Sequence, residues 1–168
     1  MRRLPSLALS ALLAIPALGA TAGRGAAQSE LEGPDPVHVT LRGPAAAVPA
    51  GGRFEVVLEA DIDAPYHIYA HDSPGGILPT RVEATVADGA AGAGLALERI
   101  VQPDAAAQTK YDAILEETHK TLEGTVEFKA VFAVAADAAA GERQVSVTAE
   151  YMACNAEGCL FPVTKGGP

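Results

Sequence analysis

The sequence predicts an all-β fold, an immunoglobulin-like antiparallel β-sandwich, from three observations. Glycine and proline are abundant, at 17 and 12 of 168 residues, and the apolar residues lean to alanine and valine, a composition of short strands and many turns. Alternating apolar and polar stretches recur about seven times along the chain. Turn signals separate them every 8 to 12 residues or so, roughly the spacing of a sandwich. The length suits one domain, since roughly 100 to 150 residues are enough for a single buried core.

The chain opens with a targeting pattern. Arg2 and Arg3 precede an apolar run over residues 4–20, and small residues at Ala20-Thr21-Ala22 or Gly25-Ala26-Ala27 offer a cleavage site, so residues 1–27 read as a signal peptide. The alternative, a membrane anchor, is weaker because Pro5 and Pro16 interrupt the run and no stop-transfer flank follows. No cysteine follows the run to carry a lipid. Residues 28–36 are expected as a flexible leader, 37–165 as the folded domain and 166–168 as a tail. Cleavage after Ala27 leaves 9 basic against 21 acidic residues, a net charge of -12. That balance excludes a nucleic-acid partner, and no stretch suggests phosphate or another cofactor.

Within the domain, Val37 to Arg42 alternates as a half-buried strand that Gly43-Pro44 ends. After the turn at Ala50-Gly51-Gly52, Phe54, Val56, Leu58 and Ala60 share one face opposite Glu55 and Glu59. Asp61 to Pro65 reads as a turn, and Tyr66 to His71 as a strand of strong β-formers. Asp72 to Gly76 reads as a loop, and strands are expected over 80–87 and 95–101. Between Gln102 and Glu123 the pattern is poor, and Tyr111 to Glu117 is either a helical turn or, as read here, a loop. Alternation returns over 125–134, with Val126, Phe128, Ala130, Phe132 and Val134 in one phase. The last long strand is expected over 144–152.

That last strand leads into the only two cysteines, Cys154 and Cys159. Val145, Val147, Ala149 and Tyr151 form its core phase, so a regular continuation puts Cys154 in the polar phase with its sulfur near the surface. Asn155-Ala156-Glu157-Gly158 has the residues of a tight hairpin loop. Cysteines flanking such a loop face each other at a Cα separation of roughly 4.5 to 5.5 Å, within the roughly 4.4 to 6.8 Å a disulfide tolerates. An exported protein meets an oxidising compartment where that bond can form. As a staple it would contribute little: a loop this short gives about 2 kcal/mol, against about 4.7 for one of about 100 residues. A redox-active pair is the favoured reading. Its nearest charges in sequence, Glu150 and Glu157, oppose thiolate formation, so the activated thiolate is expected from a partner.

At Tyr151-Met152-Ala153-Cys154 and Cys159-Leu160-Phe161-Pro162 the chain resembles the N-terminal periplasmic domain of the DsbD thiol:disulfide interchange proteins. His67-Ile68-Tyr69 with Pro79-Thr80, and Leu122 to Phe128, add weaker matches across residues 37–165. The resemblance implies a periplasmic, monomeric domain acting as a protein-disulfide reductase. A separate membrane-embedded thiol reductase would be its electron donor, and thioredoxin-like periplasmic proteins its acceptors. It implies that Cys159 forms the mixed disulfide and Cys154 resolves it. It also implies a cap loop at about Tyr111 to Glu117, with Tyr111 and Asp112 leading to Ile114 and Leu115 where the family often has an aromatic tip. Tyr66 and Tyr69 either line the site or are simply core. The family's usual protein continues into transmembrane helices, so a chain ending at Pro168 is a free-standing version or a fragment.

Two readings compete. A copper or zinc module would gather His67, His71, Met152, Cys154 and Cys159, but on one strand the two histidines lie about 13 Å apart, too far for one ion. A structural or adhesion sandwich would leave the disulfide inert. His38 and His119 read as ordinary surface residues.

Overall fold

A computed structural model describes residues 35–89, 92–112 and 116–168; the expected signal peptide, most of the expected leader, and Ile114 and Leu115 of the expected cap loop lie outside these. Among the described residues the elements are twelve strands and one short 3-10 turn, Asp104–Ala106. In chain order the strands are β1 (Val37–Arg42), β2 (Arg53–Ile62), β3 (Ile68–Tyr69), β4 (Arg81–Val86), β5 (Leu95–Val101), β6 (Gln108–Asp112), β7 (Glu117–Leu122), β8 (Gly124–Val134), β9 (Val145–Tyr151), β10 (Cys154–Asn155), β11 (Gly158–Cys159) and β12 (Val163–Gly167). All pairings are antiparallel.

The fold is an immunoglobulin-like β-sandwich. One layer runs β1-β2-β8-β5 and the other contains β12-β9-β4. Their inner faces carry the expected phases: Val56, Leu58, Ala60 and Ile62 from β2, Val126, Phe128, Ala130 and Phe132 from β8, and Val147, Ala149 and Tyr151 from β9 form one core cluster. Phe54 stacks on Phe132 with ring centroids 5.2 Å apart. Each fully buried large apolar side chain contributes roughly 1.5 to 3 kcal/mol, so this cluster is the main stabilising term.

Four readings need correction. Ile62 was expected in a turn, but β2 runs on through it because its side chain continues the inward phase and is buried. The expected strand over Tyr66 to His71 is reduced to Ile68–Tyr69, since past Tyr69 the chain turns away, Ser73 donating its N–H to the Ala70 carbonyl. The stretch of poor pattern between Gln102 and Glu123 holds the β6–β7 hairpin, whose strands take in Tyr111, Asp112 and Glu117 of the stretch read as a loop. It hides from periodicity because β6 is a polar edge strand, exposed along most of its length. His119, expected at the surface, is buried on β7. Strand β12 was not foreseen; it pairs with β9 and includes Gly166 and Gly167 of the expected tail.

A polar clamp holds the end of β9 to both chain ends of the domain. The Tyr151 hydroxyl donates to Asp35 Oδ2 at 2.8 Å, and Lys165 Nζ lies 2.6 Å from the same oxygen. Lys165 also donates to the Val37 carbonyl at 2.7 Å, and the Val37 N–H donates to Asp35 Oδ1 at 3.0 Å. Burial pushes the Asp35 carboxyl up, but the hydrogen bonds from Lys165, Tyr151 and Val37 outweigh it and hold the group below its ordinary value. Burial and the Asp35 carboxylate together push the Tyr151 phenol well up, so it stays a donor.

Asp35→Asn should therefore lower the stability by about 1 to 3 kcal/mol at pH 7, read as a reduced urea midpoint. A carboxyl lowered on folding stabilises above its ordinary value of 3.8 and loses that contribution as pH falls through its folded value. The stability gap between wild type and variant should then narrow only as pH falls below 3.8.

Candidate functional site

The cysteine hairpin is built by its own turn. Cys154 pairs with Cys159 and Asn155 with Gly158, leaving Ala156-Glu157 as a two-residue loop. The Asn155 side-chain carbonyl accepts from the Glu157 N–H at 2.9 Å and from the Gly158 N–H at 3.1 Å, which closes the turn without help from the sulfurs. Gly158 sits at φ 153°, a backbone region open chiefly to glycine. The two sulfurs are joined in a disulfide, with the Cα atoms 4.0 Å apart. That is closer than the expected span; the pair is of the non-hydrogen-bonded antiparallel kind, whose ordinary separation of about 4.5 Å is the lower end of that span.

Cys154 itself corrects the sequence reading. It is 1% exposed, not at the surface, while Cys159 is exposed. The reason is that β9 ends at Tyr151 and its phase does not continue. Met152 and Ala153 carry the chain away from the β12-β9-β4 sheet, and Cys154 pairs instead with His67. The His67 N–H donates to the Cys154 carbonyl and the Cys154 N–H to the His67 carbonyl, each at 2.9 Å. Directly opposed residues share a face, so His67, Cys154 and Cys159 form one row across three segments.

The same face continues into the β3-β7-β6 sheet. His67 meets Tyr69 edge to face at 5.2 Å, and Tyr69 meets His119 at 5.6 Å. His119 Nδ1 donates to the Pro74 carbonyl at 2.9 Å, so that nitrogen carries a proton, and Lys110 pairs with Glu123 at the rim. Gly75, at φ 97°, lies so close that a Cβ there would meet His119 Cε1 at 2.7 Å, so the loop after β3 closes tightly over the histidine. Burial pushes His67 down, partly countered by Glu123 and Asp112, while Lys110 and His119 act with burial. Burial and the Asp112 carboxylate push the Tyr69 phenol up. Tyr69 Oη and His119 Nε2 are buried without a hydrogen-bond partner among the described residues.

Of the expected site residues, Cys154 and Cys159 are bonded to each other, and Tyr69 and Asp112 share the face that runs from them. Tyr66 packs against the hydrophobic core instead. Tyr111 alternates to the opposite face of β6 from Asp112 and is 66% exposed. Ile114 and Leu115 lie outside the described residues. Three neighbours were missed. His67 was detectable from its shared phase with Tyr69, and His119 from its shared phase with Thr121 along β7. Phe161, two residues past Cys159, is 75% exposed, and a large apolar residue held before Pro162 was its signal. For the metal reading, the group among the described residues with ligand atoms within 4.8 Å of one another is His71, Asp72 and Asp104. It is exposed, and Lys120 pairs with Asp72. The cysteine sulfurs are tied up in their bond.

Fold and site together define a sandwich domain carrying a disulfide hairpin joined to a short three-stranded sheet. No family model and no curated protein matches the chain. The fold is similar to the crystal structure of the N-terminal periplasmic domain of ScsB from Proteus mirabilis, with a TM-score of 0.51 at 12% identity. That likeness covers 82% of this chain and 49% of the other, so the chain spans about half the length of its structural neighbour. Among the described residues no helix is long and apolar enough to cross a membrane.

Because the Asn155 side chain closes the turn through its own hydrogen bonds, it should keep the cysteines opposed on reduction, and Asn155→Ala should weaken disulfide formation. Losing about 1 kcal/mol of turn hydrogen bonding corresponds to an about fivefold smaller equilibrium constant for oxidation in a glutathione buffer.

Proposed function

We propose that this is a periplasmic thiol:disulfide interchange domain. It relays electrons through Cys154 and Cys159 from a separate membrane-embedded thiol reductase to thioredoxin-like proteins, acting as a monomeric protein-disulfide reductase. The observation that carries the reading is the asymmetry of the pair: Cys159 is exposed, two residues before the exposed Phe161, whereas Cys154 is buried and opposed to His67. The pattern Tyr151-x-x-Cys154 with Cys159-x-x-Pro162 and the fold likeness to another N-terminal periplasmic domain support it. Residues 1–27 would direct export and residues 37–165 would form the working domain.

In the reduced domain the Cys159 thiolate attacks the partner's disulfide, forming a mixed disulfide and releasing one partner thiolate. Cys154 then attacks the Cys159 sulfur, closing the intramolecular bond and releasing the second. Two electrons leave the domain, and the reverse sequence reloads it from the membrane donor. Phe161 supplies an apolar anchor beside the attacked sulfur, the kind of exposed aromatic side chain that concentrates docking energy. The stretch Tyr111 to Glu117, with Tyr111, Asp112, Ile114 and Leu115, is assigned by the family resemblance as a cap loop for the pair.

The potential of the pair tests this reading. It should lie above about -300 mV, and the oxidised domain should exchange with a reduced thioredoxin-like protein. A potential below that value with no exchange would identify an inert staple.

A further inference from the structure

His67 belongs to no part of the exchange chemistry described so far, yet it is the residue directly opposed to Cys154. A hydrogen-bonded antiparallel pair has its Cα atoms about 5.5 Å apart with both side chains on one face, which brings an imidazole within reach of a cysteine sulfur. Cys154 needs such a neighbour. Buried as it is, its thiol cannot ionise cheaply, and the cations in view are compromised because Lys110 pairs with Glu123.

We propose that His67 is the acid–base partner of Cys154. During resolution its imidazole accepts the Cys154 thiol proton as the sulfur attacks Cys159. During reloading, when an incoming thiolate takes Cys159 and Cys154 leaves, it returns a proton to the departing sulfur. In the resolving step one S–S bond forms between Cys154 and Cys159, the mixed disulfide breaks, and its electron pair departs on the partner's sulfur. The proton held on His67 passes to solvent.

The groups facing His67 fit this role. Tyr69 packs its ring at right angles to the imidazole, Glu123 and Asp112 favour the imidazolium, and Lys110 and His119 oppose it. Burial outweighs the carboxylates, so the ring is neutral at pH 7 and free to accept a proton. The proposal rests on the interchange reading for its biological use, but the proton transfer can be measured without a protein partner.

The reduced protein is mixed with excess 5,5′-dithiobis(2-nitrobenzoate) between pH 5 and 8, and thionitrobenzoate release is followed. The first equivalent reports attack by Cys159 and the second reports resolution by Cys154. His67→Gln and His67→Phe should slow the second phase at pH 7 by about tenfold to a hundredfold while leaving the first within about twofold. The wild-type second phase should fall as pH drops through an inflection below 6.5, the ordinary histidine value, and both variants should lack that inflection. Because phenylalanine keeps a ring against Tyr69, a Phe variant that resolves like wild type would assign any Gln effect to packing and overturn the proposal. An unchanged second phase in both variants would overturn it too. Failure of the interchange reading would appear separately, as absent exchange with a thioredoxin-like protein beside an intact His67 effect here.

Discussion

The two reciprocal 2.9 Å backbone hydrogen bonds between His67 and Cys154 join the cysteine hairpin to the β3-β7-β6 sheet. A ribbon with two residues in each strand has little independent stability, so the hairpin depends on this attachment for its position. The pairing also sets which face the disulfide occupies, buries Cys154 and leaves Cys159 outward. Behind it, the Asp35, Tyr151 and Lys165 clamp fixes the end of β9 three residues upstream of Cys154. The chain can therefore leave one sheet at Tyr151 and enter another at Cys154 without slack.

That crossing between sheets explains the unequal exposure of the pair, which its spacing alone does not. Had β9 continued regularly, both sulfurs would sit on an outer face, equally open to solvent. The switch through Met152 and the buried Ala153 makes the two cysteines unequal. One is available for attack by a large partner. The other is buried, bonded to its intramolecular neighbour and opposed to His67. Such inequality is what the proposed stepwise exchange would use, and it adds nothing to a staple.

Much of the sandwich was legible because its strands bury one face: the phases of β2, β8 and β9 in the sequence are those of the core. The turn at Asn155 to Gly158 was legible for a different reason, since its residues hydrogen-bond locally and need no tertiary context. What hid were the features made by long-range pairing. The β6–β7 hairpin is polar because β6 is an edge, so alternation could not reveal it. His119 looked like a surface histidine because its burial depends on the loop at Pro74 and Gly75 closing over it. Cys154 was misplaced because phase counting assumes an unbroken strand, and no local signal at Met152 or Ala153 announces the change of sheet. His67 matters only through a residue 87 positions away.

The most direct measurement is to locate the intermolecular bond. Each single variant, Cys154→Ser and Cys159→Ser, is incubated with a thioredoxin-like protein whose resolving cysteine is replaced, and the adducts are mapped by mass spectrometry. A mixed disulfide that accumulates through Cys159 in the Cys154→Ser protein, with little through Cys154 in the other, is the predicted result. Trapping only through Cys154 would contradict the assignment of the exposed sulfur as the point of exchange, and no adduct in either variant would contradict exchange itself.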